Sequence, residues 1–281
     1  MKTFADKVAV VTGAADGIGL AIARSCVQEH MRVVLADIDD KRLDVACEKL
    51  RAEGAMVVAV PTDVSDFPQV QRLAARAQEA FGRVDLLCNN AGVGVDGRLW
   101  AQPLEEWRWI FGVNFWGVVH GIQAFIPLML AQGGPAHVVN TASLAGLNSG
   151  PGLAAYRASK HAVVSVSETL HHELRASNSS IQVSVLCPGL VRTRILVSGR
   201  RRAPGASQVR ADPTEDVEVW RRGVALGAGL VTGTEPAVIA QKLFVALREE
   251  RLHILTHAGS DDEVRARFRL ILGQPEETAG P

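Results

Sequence analysis

The chain has 281 residues, with thirty Lys and Arg against thirty Asp and Glu, so its formal charge at neutral pH is zero. No basic block is long enough to neutralise a run of phosphates, and nucleic acid is excluded as an expected partner. A hydrophobic share of 47% fits a globular protein large enough for one sizeable α/β core. The N-terminus passes through Lys2, Asp6 and Lys7 into a short apolar run that glycines soon break. That is neither a signal peptide nor a spanning helix, so a cytoplasmic protein without a membrane role is expected.

In chain order, β-branched runs predict strands at 8–12 (VAVVT), 32–37 (RVVLAD), 56–61 (MVVAVP), 84–89 (VDLLCN), 136–143 (AHVVNTAS), 181–188 (IQVSVLCP) and 252–257 (LHILTH). Helical patterns of ten or more residues lie between them. Strands apolar throughout, alternating with helices, predict a parallel sheet covered on both faces. The Gly-, Arg- and Pro-rich stretch at roughly 197–236 interrupts the pattern and reads as an excursion from the core. Cys26, Cys47, Cys88 and Cys187 are far apart, with no CxxC pair and no histidines at metal-ligand spacing. They are expected to be small buried hydrophobes, with no metal site.

After the first strand comes TGAADGIG (12–19), with Gly13, Gly17 and Gly19 ahead of a helical run. Such glycines let backbone approach a pyrophosphate, and the helix N-terminus offers it N–H groups and a positive dipole. A tight strand-to-helix connection would use the same glycines. The second strand ends in Asp37, eighteen residues after Gly19, where a carboxylate can accept two ribose hydroxyls. A 2′-phosphate would instead meet Asp16, Asp37 and the apolar Ile38, which disfavours it.

The spacing G-x-x-x-G-x-G resembles that of the short-chain dehydrogenase/reductase family, and further motifs follow in the family's order: Asp63-Val64, NNAG (89–92), Asn114, Ser143, Tyr156-x-x-x-Lys160 and Pro188-Gly189. The resemblance covers roughly residues 5–195. It implies one doubly wound Rossmann-type domain over 1–281, with seven parallel strands ordered 3-2-1-4-5-6-7. It further implies that Gly13, Ala14, Gly17, Ile18 and Gly19 line the phosphates of NAD, with Asp37 at the ribose, Asp16 and Ile38 beside its 2′ position, and Asp63 and Val64 at the adenine. Asn90, Ala91 and Gly92 would flank the nicotinamide, and Pro188, Gly189, Val191 and Thr193 would close over its carboxamide. Asp63 also fits a helix cap or turn, and Asn90 a strand-end turn.

YRASK (156–160) holds the chain's only tyrosine. On a helix over 156–172, Tyr156 and Lys160 stand one turn apart on one face. A phenol titrates near 10, so proton transfer near neutrality needs adjacent positive charge, expected from Lys160 and the bound cofactor. The resemblance implies that Ser143 holds the substrate oxygen, that Lys160 binds the ribose and that Asn114 orders water behind the lysine. The implied activity is interconversion of a secondary alcohol and a ketone; an NAD-sensing binding protein without turnover is the alternative. Val95, Leu144, Leu153 and Leu190 are expected to wall an apolar pocket, with a lid over 190–230 carrying Arg200, Arg201 and Arg202. The aromatic cluster Trp107, Trp109, Phe111, Phe115 and Trp116 is expected in the core and at a helix-pair interface, and the family's habit of pairing these helices implies a homodimer or homotetramer. In place of the family's glycine-rich terminal strand the chain has SDDEVRARFRLIL, expected to form a helix over 260–272 capped by Ser260 or Asp261.

Overall fold

The computed structural model describes residues 1–195 and 217–274, without the side chains of 217–220 and 222. Its centre is a seven-stranded sheet ordered β3-β2-β1-β4-β5-β6-β7, with every neighbouring pair parallel. The strands are β1 (Val8–Thr12), β2 (Arg32–Asp37), β3 (Val57–Pro61), β4 (Leu86–Asn89), β5 (Ala136–Thr141), β6 (Ile181–Cys187) and β7 (His253–Leu255). Fold class and strand order are those read from the sequence.

Burial on both faces explains why the strands show no polar alternation. Ala9, Val11, Val33 and Leu35 belong to one apolar cluster, with Ile22 of α1 (Gly17–Gln28), Leu43 of α2 (Asp40–Ala52) and Leu243 of α8 (Pro236–Arg248). Their neighbours Val10, Val34 and Ala36 belong to the opposite cluster, with Leu73 of α3 (Phe67–Phe81), Phe125 of α5 (Gly117–Gln132) and Leu170 of α6 (Ala154–Ala176). Each fully buried Leu, Ile or Phe contributes about 1.5–3 kcal/mol. All four cysteines are buried and free.

Between α4 (Leu104–Phe111) and α5 the helix widens into one π turn, Gly112–Trp116, so residues 104–132 run on without a break. This run is long and apolar enough to cross a bilayer by length and composition. Here it packs against α3, β4 and α6, and Leu104, Trp116 and Leu130 remain at least half exposed. The remaining helices are α7 (Val217–Thr232) and α9 (Ser260–Ile271). Contrary to expectation, neither Ser260 nor Asp261 caps α9; Gly259 does so by backbone conformation, at φ +75°.

Candidate active site

A sheet of this order reverses direction between β1 and β4, and a crevice opens outside the strand ends at that point. Here it is a cleft of about 770 Å³ lined from Gly13 to Glu263. At one end the β1–α1 loop turns at Gly13, φ +67°, where a Cβ would lie 2.9 Å from Ala91 Cα. A Cβ on Gly19 would lie 2.0 Å from the Gly13 carbonyl oxygen, so α1 starts hard against the loop. Asp16 caps α1, accepting from the Gly17 amide at 2.7 Å. Gly13, Asp16, Gly17 and Ile18 line the cleft. Ala14 does not; it is wholly buried, with its amide bonded to the Ala36 carbonyl. Gly19 serves by packing.

Asp37 ends β2 with both carboxylate oxygens oriented: Oδ2 accepts from the Ala15 amide and Oδ1 from the Asp39 amide, each at 3.0 Å. Each oxygen keeps a lone pair for a hydroxyl donor. Ile38 is exposed beside it. Arg42 also reaches this wall, where it is held by Asp39 at 3.3 Å and Asp16 at 3.6 Å. Asp63 and Val64 line the next stretch, and Asp63 Oδ1 accepts from the amide and hydroxyl of Ser65, so the residue is a turn former as well as a wall.

Asn90 joins three strand ends. Its amide donates to Thr12 Oγ1 at 2.9 Å, its Nδ2 donates to the Thr12 carbonyl at 3.0 Å, and its Oδ1 accepts from Thr141 Oγ1 at 3.3 Å. Ala91 and Gly92 follow along the cleft floor, and Pro188, Gly189, Val191 and Thr193 form the opposite rim. The support that Thr12 and Thr141 give Asn90 was not legible in the sequence, because it joins three strand ends that are remote in the chain.

The deepest part holds Ser143, Tyr156 and Lys160. Ser143 follows β5, its Oγ accepting from the Ala145 amide at 3.1 Å and donating to the Pro188 carbonyl at 3.3 Å, in the same cleft as Tyr156. Lys160 is buried one turn beyond Tyr156; its Nζ donates to the Thr141 carbonyl at 2.8 Å and lies 5.7 Å from the Tyr156 ring centroid. Burial lowers its ammonium from 10.5 to about 8. Burial also raises the phenol above 10, while the neighbouring Ser143 hydroxyl and the charge of Arg157 act to lower it. Arg157 is thus a further cation near the phenol, beside Lys160 over its ring. Asn114 lies behind the site in the π turn, accepting from the Val93 amide at 2.8 Å and donating to the Val93 carbonyl and to Ser159 Oγ, each at 3.0 Å. A Cβ on Gly92 would lie 3.4 Å from both Asn114 Oδ1 and Lys160 Nζ, so Gly92 stands between these two side chains.

Leu144, Leu153 and Leu190 supply the apolar wall, joined by Trp109, Ile195, Leu226 and Leu230. Two expectations are corrected. Val95 is buried behind the wall with Ile110 and Ala155, because Gly94 stands against the Tyr156 ring instead, and Trp109 faces the cleft while Trp107 stacks on Phe111. Residues 196–216, including Arg200, Arg201 and Arg202, lie outside the described residues, as do most of the expected lid's residues. Among the described residues no group of His, Cys, Asp and Glu forms a metal site.

The short chain dehydrogenase family profile matches residues 7–203. A 1-deoxy-11-beta-hydroxypentalenate dehydrogenase of Streptomyces exfoliatus is 44% identical over 226 residues, covering 79% of this chain and 80% of that protein. A CLA biosynthesis dehydrogenase/reductase of Lactiplantibacillus plantarum is 35% identical over 279 residues, covering 98% and 97%. A crystal structure of a short-chain dehydrogenase/reductase from Burkholderia phymatum, in complex with NAD, superposes with a TM-score of 0.92 at 44% identity and covers all of both chains. The matched segment spans the turn at Gly13, the serine, the tyrosine–lysine pair and the rim at Thr193, and this chain is therefore a member of the short-chain dehydrogenase family.

Proposed function

We propose that the protein is an NAD-dependent oxidoreductase that interconverts a secondary alcohol and a ketone, with the proton passing through Tyr156. The observation that carries this is the meeting of Ser143 and Tyr156 in one cleft with the buried Lys160 one turn further along the same helix. The dehydrogenases among its relatives, and the NAD bound to the Burkholderia protein, support the same reading.

The cleft fits NAD on its own evidence. Gly13 and Gly19 occupy positions that a Cβ would fill, beside the N-terminus of a twelve-residue helix, and Asp37 presents an oriented carboxylate further along. Gly13, Gly17 and Ile18 would hold the pyrophosphate, Asp37 the adenosine ribose, Asp63 and Val64 the adenine, and Asn90, Gly92, Gly189, Val191 and Thr193 the nicotinamide end. Lys160 would reach the second ribose. Arg42 is already matched by two carboxylates and is not free for a 2′-phosphate, which favours NAD over NADP. Bound NAD supplies a two-electron hydride acceptor.

In the oxidation direction Tyr156 Oη removes the substrate's hydroxyl proton, and Ser143 Oγ holds the same oxygen as it becomes a carbonyl. Lys160 keeps positive charge below the phenol, and Asn114 fixes the Val93 loop that faces it. The apolar wall excludes water and selects an apolar carbon skeleton. The outward side of 104–132, with Leu104, Trp116 and Leu130, is assigned to pairing in a homodimer or homotetramer and not to lipid, because the inner side of the same run is anchored on the sheet.

Turnover of a panel of secondary alcohols with NAD tests this reading. Tyr156→Phe removes only the hydroxyl, so NAD affinity and melting temperature should persist while kcat falls by about 10²-fold or more. Near-normal turnover in that variant would remove Tyr156 from the mechanism.

A further inference from the structure

The loop between β7 and α9 brings His257 against the rim of the cleft, where the cofactor and proton-transfer assignments leave it unused. The ring is half-buried, lines the cleft and stands so close to Gly189 that a Cβ there would lie 2.9 Å from the His257 Cγ. Its Nδ1 accepts from the Gly189 amide at 3.0 Å, and its Nε2 meets the Leu190 carbonyl at 3.0 Å. An amide only donates and a carbonyl only accepts, so the two bonds together require the neutral ring with its proton on Nε2. The hydroxyl of the buried Thr256, 2.8 Å from Nδ1, then donates to the same nitrogen.

The Gly189 amide shares a peptide group with the Pro188 carbonyl, and in a planar trans peptide these two groups point in opposite directions. That carbonyl accepts from the Leu144 amide at 2.8 Å and from Ser143 Oγ at 3.3 Å. One peptide is thus gripped at both edges, by the serine loop on one side and by His257 on the other. One residue further, the Leu190 carbonyl is held by His257 Nε2 and by the Thr234 amide at 3.0 Å. We infer that His257 is a positioning residue: it sets the plane of the Pro188–Gly189 peptide, and through that peptide both the rim at the nicotinamide end and the hydroxyl of Ser143. The inference rests on the reading of this cleft as an NAD-dependent alcohol–ketone site. Gly189 has no Cβ to hold its own torsions, so removing the ring lets the peptide rotate.

The test sets calorimetric titrations of the full-length protein by NADH and by ADP-ribose, which lacks the nicotinamide, beside turnover of the secondary-alcohol panel. His257→Leu should weaken NADH binding about tenfold and lower kcat about tenfold, while the affinity for ADP-ribose stays within about twofold. His257→Asn places an acceptor where Nδ1 stood and should restore most of both losses. His257→Gln replaces only the Nε2 donor and should restore little. Where His257→Leu does not fold, the Asn and Gln variants decide, and equal behaviour of these two would overturn the role given to Nδ1. In wild type, long-range 1H–15N spectra should show the ring proton on Nε2, with His257 assigned by the signal lost in His257→Asn; a proton on Nδ1 would overturn the clamp. Parallel loss of NADH and ADP-ribose binding, or unchanged NADH affinity and kcat in His257→Leu, would overturn it as well. Selective loss of NADH affinity in a protein whose wild type transfers hydride from none of the alcohols would instead overturn the alcohol–ketone reading and leave the clamp standing.

Discussion

Asp37 shows how one side chain can select a cofactor. Its two oxygens are held by the Ala15 and Asp39 amides, so the carboxylate cannot turn away from a ligand placed against it. Ribose hydroxyls gain charge-assisted hydrogen bonds there, and a 2′-phosphate meets repulsion, a contrast of about 10²-fold in preference. Asp37→Ser combined with Ile38→Arg should narrow or reverse the ratio of kcat/KM for NAD over NADP. Equal efficiency of the unaltered protein with both cofactors would mean that Arg42 leaves Asp16 and Asp39 to meet the phosphate. Lys160 supplies a second test at this scale. With its pKa lowered to about 8, the folded chain binds fewer protons than the unfolded chain between about 8 and 10.5. The penalty of burying the ammonium is therefore complete below 8 and is relieved as the pH rises, by about 1.4 kcal/mol per unit. Tyr156, raised above 10, opposes this only beyond 10, where the unfolded phenol loses its proton first. Urea unfolding at pH 8 and pH 10 should show wild type gaining about 2 kcal/mol on Lys160→Met over that interval. A constant difference would place Lys160 in contact with water.

Among the elements, the β1–α1 turn decides most. Its residues form a turn and helix start that many sequences could adopt, yet Gly19 permits the helix to begin in contact with the Gly13 carbonyl. Gly19→Ala would force these apart, widening the loop that faces the pyrophosphate. The expected outcome is a lower melting temperature and NAD binding weakened by about tenfold or more in calorimetry. Gly97→Ala, where a Cβ meets nothing within 4 Å, is the matched control. If Gly19→Ala bound NAD normally, the turn would be a connection only. The π turn at Gly112–Trp116 works at the same scale: it offsets α5 from α4 while Asn114 is locked onto Val93 and Ser159.

For the whole molecule, the sheet gathers loops from distant parts of the chain at one edge, and the 104–132 helical run leaves an apolar side uncovered. Sedimentation should give the mass of a dimer or tetramer, and Trp116→Glu with Leu130→Glu should yield a monomer, since two charges would have to be buried in the joint. A wild-type monomer at micromolar concentration would assign that side another role.

By itself the sequence determined the strands and the motifs at their ends, and its resemblance to a known family supplied their order. Buried parallel strands must be apolar on both faces, and a phosphate turn, an acidic strand end and a Tyr-x-x-x-Lys pair are local patterns whose spacing survives in the linear chain. Only the tertiary structure decided what depends on packing between remote segments. Thr12 and Thr141 support Asn90 from two different strands, Ala14 turns into the core, Gly94 displaces Val95 from the pocket, and Arg42 is neutralised by Asp16 from another loop. Arg157 is held by Asn148, nine residues away in a different element, which no periodicity links to it. Whether a buried donor finds an acceptor depends on distances across the fold, and those are set by how helices seat on the sheet rather than by the identity of neighbours in the chain.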